Sequence, residues 1–142
     1  MWGSGPGSTL FTYDDNNTGT VIAYCFAPIE GFSAMGKYIG NNSNDGPFVY
    51  CGFRPRFIIQ KYTDSASNLA LRDTERAPDI QPIYHTLIGE TNEAESTNQN
   101  WSYDFLSNGF KVRTTQTNQN DNNGNFIWVA FAEAPFKTAR AR

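Results

Sequence analysis

The chain has 142 residues, a net charge of −3 and a sequence pI near 5.0. This balance gives no basic field for nucleic acid or for an anionic membrane, so no nucleic-acid partner is expected. No stretch of about 18 or more apolar residues occurs, so no membrane insertion is expected either. The length fits one domain with a core of its own.

The start of the chain does not have the composition of a folded element. Residues 1–8, Met-Trp-Gly-Ser-Gly-Pro-Gly-Ser, have neither the basic nor the apolar region of a signal peptide. We interpret residues 1–19 as a linker or a vector-derived remnant that contains one candidate short strand at 10–13.

Apolar and polar residues alternate between turn clusters along the rest of the chain, which predicts strands. The predicted strands are residues 20–27, 34–40, 48–53, 57–63, 69–72, 101–106, 110–115 and 126–136. Residues 73–100 form a long irregular segment with two prolines. No window has the apolar spacing of an amphipathic helix. The sequence therefore predicts an all-β, antiparallel β-sandwich, jelly-roll-like, with about eight strands and no substantial helix.

Two local signals refine this prediction. Asn108-Gly109 between two predicted strands indicates a hairpin with a type I′ turn, because that turn needs positive φ at both central residues. Pro55 has no N–H for a ladder and is expected in a connection or on an edge.

The last predicted strand has a counterpart near the start of the chain. Residues 15–27 align with residues 120–132, and a polar Asn-Gly turn precedes the same bulky and small alternation in both. The identical pairs are Asn17/Asn122, Gly19/Gly124, Ile22/Ile127, Phe26/Phe131 and Ala27/Ala132. The repetition suggests that one structural unit ends twice. We predict that residues 20–33 are the closing strand of an upstream unit with a junction, and that the β-sandwich domain covers 34–142.

Residue types that support catalysis are sparse. His85 is the single histidine and has no metal-ligand partner at a suitable spacing. No Gly-x-Ser-x-Gly nucleophile motif occurs. Asp73 ends a predicted strand and is a candidate for one of the paired carboxylates of a glycosidase, with an ion-paired turn beside Arg72 and Arg76 as the alternative. We expect no enzyme activity and no cofactor.

Metal ligands and cross-links are also few. Asn41, Asn44 and Asp45 supply oxygen atoms but lack the bidentate Glu of an EF-hand, so we expect an Asx-rich turn and no metal site. Cys25 and Cys51 each lie among strand residues, and both a disulfide and two buried thiols remain open.

Aromatic residues next to loops are the candidates for ligand binding. A sugar ring stacks on an aromatic face while amides and carboxylates bind its hydroxyl groups. The candidate ligand-binding residues are Tyr62, Asp73, Tyr84, Trp101, Tyr103, Asn41 and Asp45. Each aromatic residue also suits a rim or core position. We place the predicted recognition surface on residues 73–101 and the 41–45 turn, because loops on a rigid scaffold commonly bind.

Several blocks resemble a known family. Residues 38–57 read YIGNNSNDGPFVYCGFRPRF and are similar to the Y-x-G-N-x-S-x-D-G-P-F-V-x-x-G-F-R-P-x-F run of a domain of unknown function. That domain recurs at the C-terminal ends of large virion proteins of tailed bacteriophages, often marine ones. Blocks at 104–113 and 130–137 and the junction at 23–33 match in the same order, so the resemblance covers about 20–142.

The resemblance departs at Gln60, where the family tends to have an apolar residue, and across 73–100. It implies a tail-fibre or adhesin-like module of the virion, assembled in the host cytoplasm, with other virion protein subunits as partners and a homotrimer as the assembly. It carries no catalytic residues over. We therefore expect a non-enzymatic virion structural module that contributes to recognition of host-surface glycans. The alternatives are a purely architectural capsid-decoration or fibre-packing domain without a ligand and, third, a glycan depolymerase.

Overall fold

The structure is a computed structural model, and it describes residues 23–76 and 81–134. These residues form eight strands: β1 Ser33–Ile39, β2 Phe48–Tyr50, β3 Pro55–Tyr62, β4 Leu69–Asp73, β5 Leu87–Ile88, β6 Tyr103–Leu106, β7 Gly109–Val112 and β8 Asn125–Ala132. A 3₁₀ turn spans Gln99–Trp101 and a one-turn helix, α1, spans Thr117–Asn120. The predicted all-β class without a substantial helix is confirmed.

The strands form two antiparallel sheets that face each other across the core. The larger sheet has the order β1-β8-β3-β4-β5, and the smaller has the order β2-β7-β6. Pro55 is the first residue of β3, and the register of β3 against β8 shifts between Pro55 and Phe57. A proline is tolerated at a strand start because its missing N–H interrupts few ladder bonds.

Strand β8 packs one of its two faces against the smaller sheet. Phe126 and Ala130 are fully buried, whereas Ile127 between them in sequence is 52% exposed. Phe126 stacks between Tyr38 of β1 and Tyr62 of β3, with ring centroids 4.8 and 4.7 Å away. The bulky side chains of the alternate face therefore lie on the outside of the larger sheet.

A buried polar cluster joins the two sheets. Arg72 of β4 is fully buried, and its guanidinium carbon lies 4.1 Å from the ring centroid of Tyr103 of β6. Arg72 Nη2 donates to Gln119 Oε1 at 2.5 Å, and the Tyr103 hydroxyl donates to the same oxygen at 3.1 Å. The Tyr38 hydroxyl donates to the Gln119 carbonyl oxygen at 2.7 Å. These contacts attach α1 to strands of both sheets.

The arginine in this cluster has few partners for a buried cation. Its Nε and Nη1 atoms have no hydrogen-bond partner among the described residues. Burial lowers the pKa of Arg72, although the charges of Tyr103 and Tyr38 act in the opposite direction. Because no carboxylate in the described ranges accepts from it, the guanidinium depends on the amide of Gln119 and on the face of Tyr103.

Several strand bounds differ from the prediction. Residues 23–27 form no regular strand, and residues 10–13 and 20–22 lie outside the described residues. Strand β5 was not predicted, because it has only two residues and so cannot show the alternation that marks a strand. Strand β2 ends at Tyr50 because Gly52 adopts a φ of 81° and turns the chain. That residues 20–33 close an upstream unit stays a prediction.

The predicted hairpin between β6 and β7 is present, but its turn is of another type. Leu106 pairs with Gly109, so Ser107 and Asn108 are the two turn residues. In the described ranges, positive φ values occur at Asn42, Asn123, Gly31 and Gly52. A type I′ turn at Asn108-Gly109 is therefore wrong. Gly109 is needed for another reason, since a Cβ atom there would lie 2.1 Å from the Val49 carbonyl oxygen of β2.

The two cysteines are free and differ in environment. Cys25 is exposed and Cys51 is buried. Burial raises the pKa of the Cys51 thiol to about 12. The expectation of a buried thiol therefore holds for Cys51 and is wrong for Cys25.

The close approach of Gly109 to β2 predicts which substitution in the hairpin lowers the free energy of unfolding. We expect Gly109→Ala to destabilise the fold by about 1–3 kcal/mol, because the new methyl group forces β7 away from β2. Asn108→Ala is the matched control and should change the free energy of unfolding by less than about 0.5 kcal/mol. Urea denaturation of both variants measures this. A larger loss for Asn108→Ala would restore the type I′ interpretation.

The buried cluster predicts an unusual order of stabilities. Gln119→Leu leaves the Arg72 guanidinium without its acceptor and should cost about 3–5 kcal/mol. Arg72→Met removes the buried charge at similar volume and should cost less than about 1 kcal/mol or stabilise the fold. Chemical denaturation of the two single variants and of the double variant tests this. A loss for Arg72→Met as large as that for Gln119→Leu would contradict it.

Candidate functional site

The outer face of the smaller sheet carries two exposed aromatic rings. Phe48 is 46% exposed and Tyr50 is 67% exposed, and both point outward from β2. The strand register places Lys111 beside Phe48 and Gly109 beside Tyr50. Leu106 of β6, 38% exposed, follows on the far side of Gly109. We call Phe48, Tyr50 and Leu106 the aromatic platform.

Gly109 keeps the middle of the platform flat. Gly109 separates Tyr50 and Leu106 in that row of the sheet and has no side chain, so the space above β7 is open to a neighbouring ring. The ring of Phe48 leans over the same residue, since a Cβ atom on Gly109 would lie 3.0 Å from Phe48 Cζ. A flat apolar surface of this kind accommodates the face of another ring.

One edge of the platform is charged. Lys111 Nζ lies 2.6 Å from Asp45 Oδ1, and Arg113 Nη1 lies 3.5 Å from the same oxygen. Arg113 Nε lies 3.3 Å from Asp104 Oδ2. The hydrogen bond from Lys111 lowers the pKa of Asp45. We call Asp45, Asp104, Lys111 and Arg113 the charged rim. Its two cations and two carboxylates balance, and both kinds of group bind hydroxyls.

Asn120 of α1 fixes the turn that presents Asp45. Asn41 N donates to Asn120 Oδ1 at 2.9 Å, and Asn120 Nδ2 donates to Asn41 Oδ1 at 3.0 Å and to the Ser43 carbonyl at 2.9 Å. Inside the turn, Asp45 N donates to Ser43 Oγ at 3.0 Å. Asn120 is fully buried. The Asp45 carboxylate is therefore held beside the platform by a buried anchor.

The structure brings only part of the predicted site together. Asn41 and Asp45 lie in the turn at the charged rim. Tyr103 is fully buried and Tyr62 is 6% exposed, so neither offers a ring face to solvent. Tyr103 lies in the polar cluster with Arg72, and the Tyr62 hydroxyl donates to Asp121 Oδ2 at 2.6 Å.

The other predicted residues, Tyr84, Trp101 and Asp73, do not belong to the aromatic platform or the charged rim. Tyr84 is half-buried, with its ring centroid 5.0 Å from that of His85, and the half-buried Trp101 ends the 3₁₀ turn. Asp73 Oδ1 accepts from the N–H groups of Glu75 and Arg76, and Asp73 Oδ2 lies 2.6 Å from Arg76 Nε. Asp73 thus forms the ion-paired turn that was the alternative to a catalytic role.

The described ranges hold neither a metal-binding cluster nor a membrane-spanning helix. Residues 23–76 and 81–134 contain no group of three or more His, Cys, Asp or Glu side chains placed to hold a metal ion. Within the same ranges, no helix is long and apolar enough to cross a membrane.

Sequence reasoning missed Phe48 and Tyr50. Their strand was predicted, but a strand has two faces, and which one is covered depends on pairing that the sequence does not state. A signal was available in the size pattern, since the small residues Val49 and Cys51 alternate with the two rings. Val49 and Cys51 prove to be the buried pair.

The outer face of the larger sheet carries a different surface. It holds a groove of about 470 Å³ with a mainly apolar lining. The lining residues are Tyr24, Phe26, Ile59, Lys61, Leu69, Leu71, Gly89, Ile127, Trp128 and Val129. Lys61 Nζ pairs with Glu90 Oε1 at 2.7 Å. We call this surface the apolar groove.

The fold and the two surfaces define a small two-sheet β domain with an aromatic, charge-rimmed surface on one sheet and a mainly apolar groove on the other. A family model described as a domain of unknown function, DUF7483, matches residues 3–135. The chain belongs to this family. No curated protein and no solved structure matches the chain. The family description states no activity, so the virion origin stays a prediction.

The buried tyrosines predict alkaline unfolding. Burial raises the pKa of Tyr38 and of Tyr103, and the hydrogen bond to Asp121 raises the pKa of Tyr62 to about 12. The unfolded chain ionises these groups near the ordinary value of about 10, so it gains charge before the folded chain does. Stability should be intact below about pH 10 and fall as the pH rises towards 12.

Thermal melts from pH 8 to pH 12, followed by circular dichroism, measure this loss. Tyr62→Phe removes one of the three groups and should make the decline with pH shallower. A melting temperature that stays constant across this range would contradict the prediction.

Proposed function

We propose that this chain is a non-enzymatic structural module of a bacteriophage virion, adhesin-like, whose aromatic platform and charged rim bind glycans of the host surface. The observation that carries the proposal is the exposure of Phe48 and Tyr50 beside a fixed Asp45. The virion setting is supported by the sequence resemblance alone.

The chemistry of the platform suits a sugar. The apolar face of a pyranose ring stacks on Tyr50 or Phe48, while its hydroxyl groups reach Asp45 and Arg113 at the rim. Exposed ion pairs contribute little to stability. A sugar hydroxyl can therefore replace one partner of a rim ion pair at a small cost in free energy. Because the rim charges balance, the proposal favours a neutral sugar over a strongly charged one.

Rigidity supports the same proposal. The rings stand on a paired strand, and the Asp45 turn is anchored by Asn120. A preorganised surface loses little conformational entropy on binding. One small platform still gives modest affinity, so the proposed homotrimer, joined to other virion subunits, would supply binding strength by multivalency.

The apolar groove favours a second candidate function. A purely architectural capsid-decoration or fibre-packing domain would use such a surface to pack against other subunits and would bind neither cells nor sugars. The depolymerase alternative has less support. Asp73 and Glu95 both pair with Arg76, at 2.6 and 3.3 Å, so each carboxylate has a structural partner.

The platform predicts that ligand binding depends on its two aromatic residues. Tyr50→Ala should weaken binding to a glycan or to intact host cells by about tenfold or more, or about 1.4 kcal/mol, because the stacking surface is lost. Glycan arrays identify the ligand, and titration of the full chain measures its affinity. Phe48→Ala should act in the same direction.

Tyr24→Ala is the matched control, since Tyr24 is 78% exposed and lines the apolar groove instead. Its affinity should equal that of the unmodified chain. Loss of binding in Tyr24→Ala with no loss in Tyr50→Ala would move the site to the groove. Absence of binding to every glycan and cell tested would favour the architectural candidate.

A further inference from the structure

Strand β2 forms one edge of the smaller sheet and has an open hydrogen-bonding side. Its neighbour in the sheet is β7, on one side only. The Pro47 carbonyl oxygen accepts from an N–H group of β7 at 3.1 Å, and the Cys51 N–H donates to the turn between β6 and β7 at 2.9 Å. Bonded and non-bonded pairs alternate along an antiparallel ladder. Phe48 and Tyr50 therefore direct their N–H and C=O groups away from β7.

This edge lacks the features that commonly prevent a strand from pairing. Across residues 23–76 and 81–134, no backbone hydrogen bond outside the strand ladders involves Phe48 or Tyr50. The three residues of β2, Phe-Val-Tyr, include no charge and no proline. By contrast, β1 at the edge of the larger sheet carries the exposed Lys37. An uncharged edge with unused N–H and C=O groups accepts another strand.

We propose that β2 of a second copy of this chain pairs antiparallel with β2, with Val49 of both copies on the two-fold axis. This register places Phe48 of each copy opposite Tyr50 of the other. Both residues then use their edge groups, which gives four hydrogen bonds across the axis. A register centred on Phe48 or on Tyr50 aligns only one edge residue of β2 per copy and gives two. The strand is therefore complementary to itself.

The side chains favour a second copy over a foreign strand. On the outer face, the register makes two pairs of directly opposed rings, each formed by Phe48 of one copy and Tyr50 of the other. Opposed aromatic residues stabilise antiparallel strands, and no like charges face each other across the axis. Pairing also covers part of Tyr50, which is 67% exposed in the single chain. A second copy supplies both matching rings at the required spacing.

The pairing enlarges the aromatic platform, and this consequence rests on the proposed glycan binding. Two three-stranded sheets become one continuous sheet with four rings near its centre. Lys111 lies beside Phe48 within each copy, so a charged rim flanks the rings on both sides. Four rings offer more area than one sugar ring covers. The ligand class is therefore a glycan segment of two or more sugar rings. The contact joins copies in pairs and is separate from the contacts of the proposed homotrimer.

Sedimentation of the full chain tests the pairing without a ligand. Only two residues of each strand bond across the axis, so we expect a monomer–dimer equilibrium with a Kd on the order of 10–1000 µM. All chains carry Cys25→Ser to prevent disulfide-linked dimers. Tyr50→Lys should weaken association about tenfold or more, because it places a charge on the edge. Tyr24→Ala, in the apolar groove, is the control and should not change it. A chain that stays monomeric at about 1 mM, or equal losses in both variants, would overturn the proposal.

Cross-linking between differently labelled copies tests the register. Unlabelled Phe48→Cys chains are mixed with nitrogen-15-labelled Tyr50→Cys chains, both with Cys25→Ser. Cys51 stays in place, because its buried thiol with a pKa of about 12 reacts poorly. The short reagent dibromobimane should link unlike chains at least tenfold faster than like chains, since positions 48 and 50 are directly opposed only between copies. Mass spectrometry separates the products. Equal rates, or faster linking of like chains, would contradict the Val49-centred register.

Glycan length separates this inference from the proposed function. The probes are arrayed neutral hexose oligosaccharides of one to four rings, incubated with the full chain above and below its dimerisation constant. Probes of two or more rings should bind above that constant and lose binding below it. Equal binding by a monomeric chain would overturn the enlarged platform and leave the proposed function intact. Cross-linked dimers that bind no probe would instead count against the proposed function and leave the strand pairing intact.

Discussion

The buried guanidinium of Arg72 is the constraint around which both sheets are arranged. A cation without a carboxylate partner is costly to bury, so the fold must surround it with oriented neutral groups. Gln119 supplies an acceptor and Tyr103 supplies a ring face. These three residues belong to the larger sheet, α1 and the smaller sheet, respectively. The position of each sheet relative to the other is therefore set by polar geometry as well as by apolar packing.

This constraint reaches the surface through two consecutive residues of α1. Gln119 faces the core cluster, and Asn120 holds the turn that ends in Asp45. One helical turn thus couples the interior to the charged rim. The two buried amides hold α1 in place, because Gln119 Oε1 accepts from Arg72 and Tyr103 while the Asn120 side chain bonds to Asn41, Ser43 and Thr114. A site built this way keeps its geometry without a bound ligand.

Much of the fold follows from the sequence, and much of the site does not. Period-two alternation and Asn-Gly turns predict seven of the eight strands, at least approximately, because these signals are local. The polar run 117–120 reads as a turn, yet Gln119 is buried, because its burial depends on Arg72 from a distant strand. Likewise Tyr103 and Tyr50 both read as strand aromatics. Only the pairing of sheets decides that one is core and the other is surface.

The two outer faces have opposite characters, and this separates the roles proposed for them. The smaller sheet presents rings with a balanced set of charges, which suits a hydrated ligand that must be released. The larger sheet presents mainly aliphatic side chains, which suit permanent burial. Since the faces lie on opposite sides of the sandwich, occupying one leaves the other free.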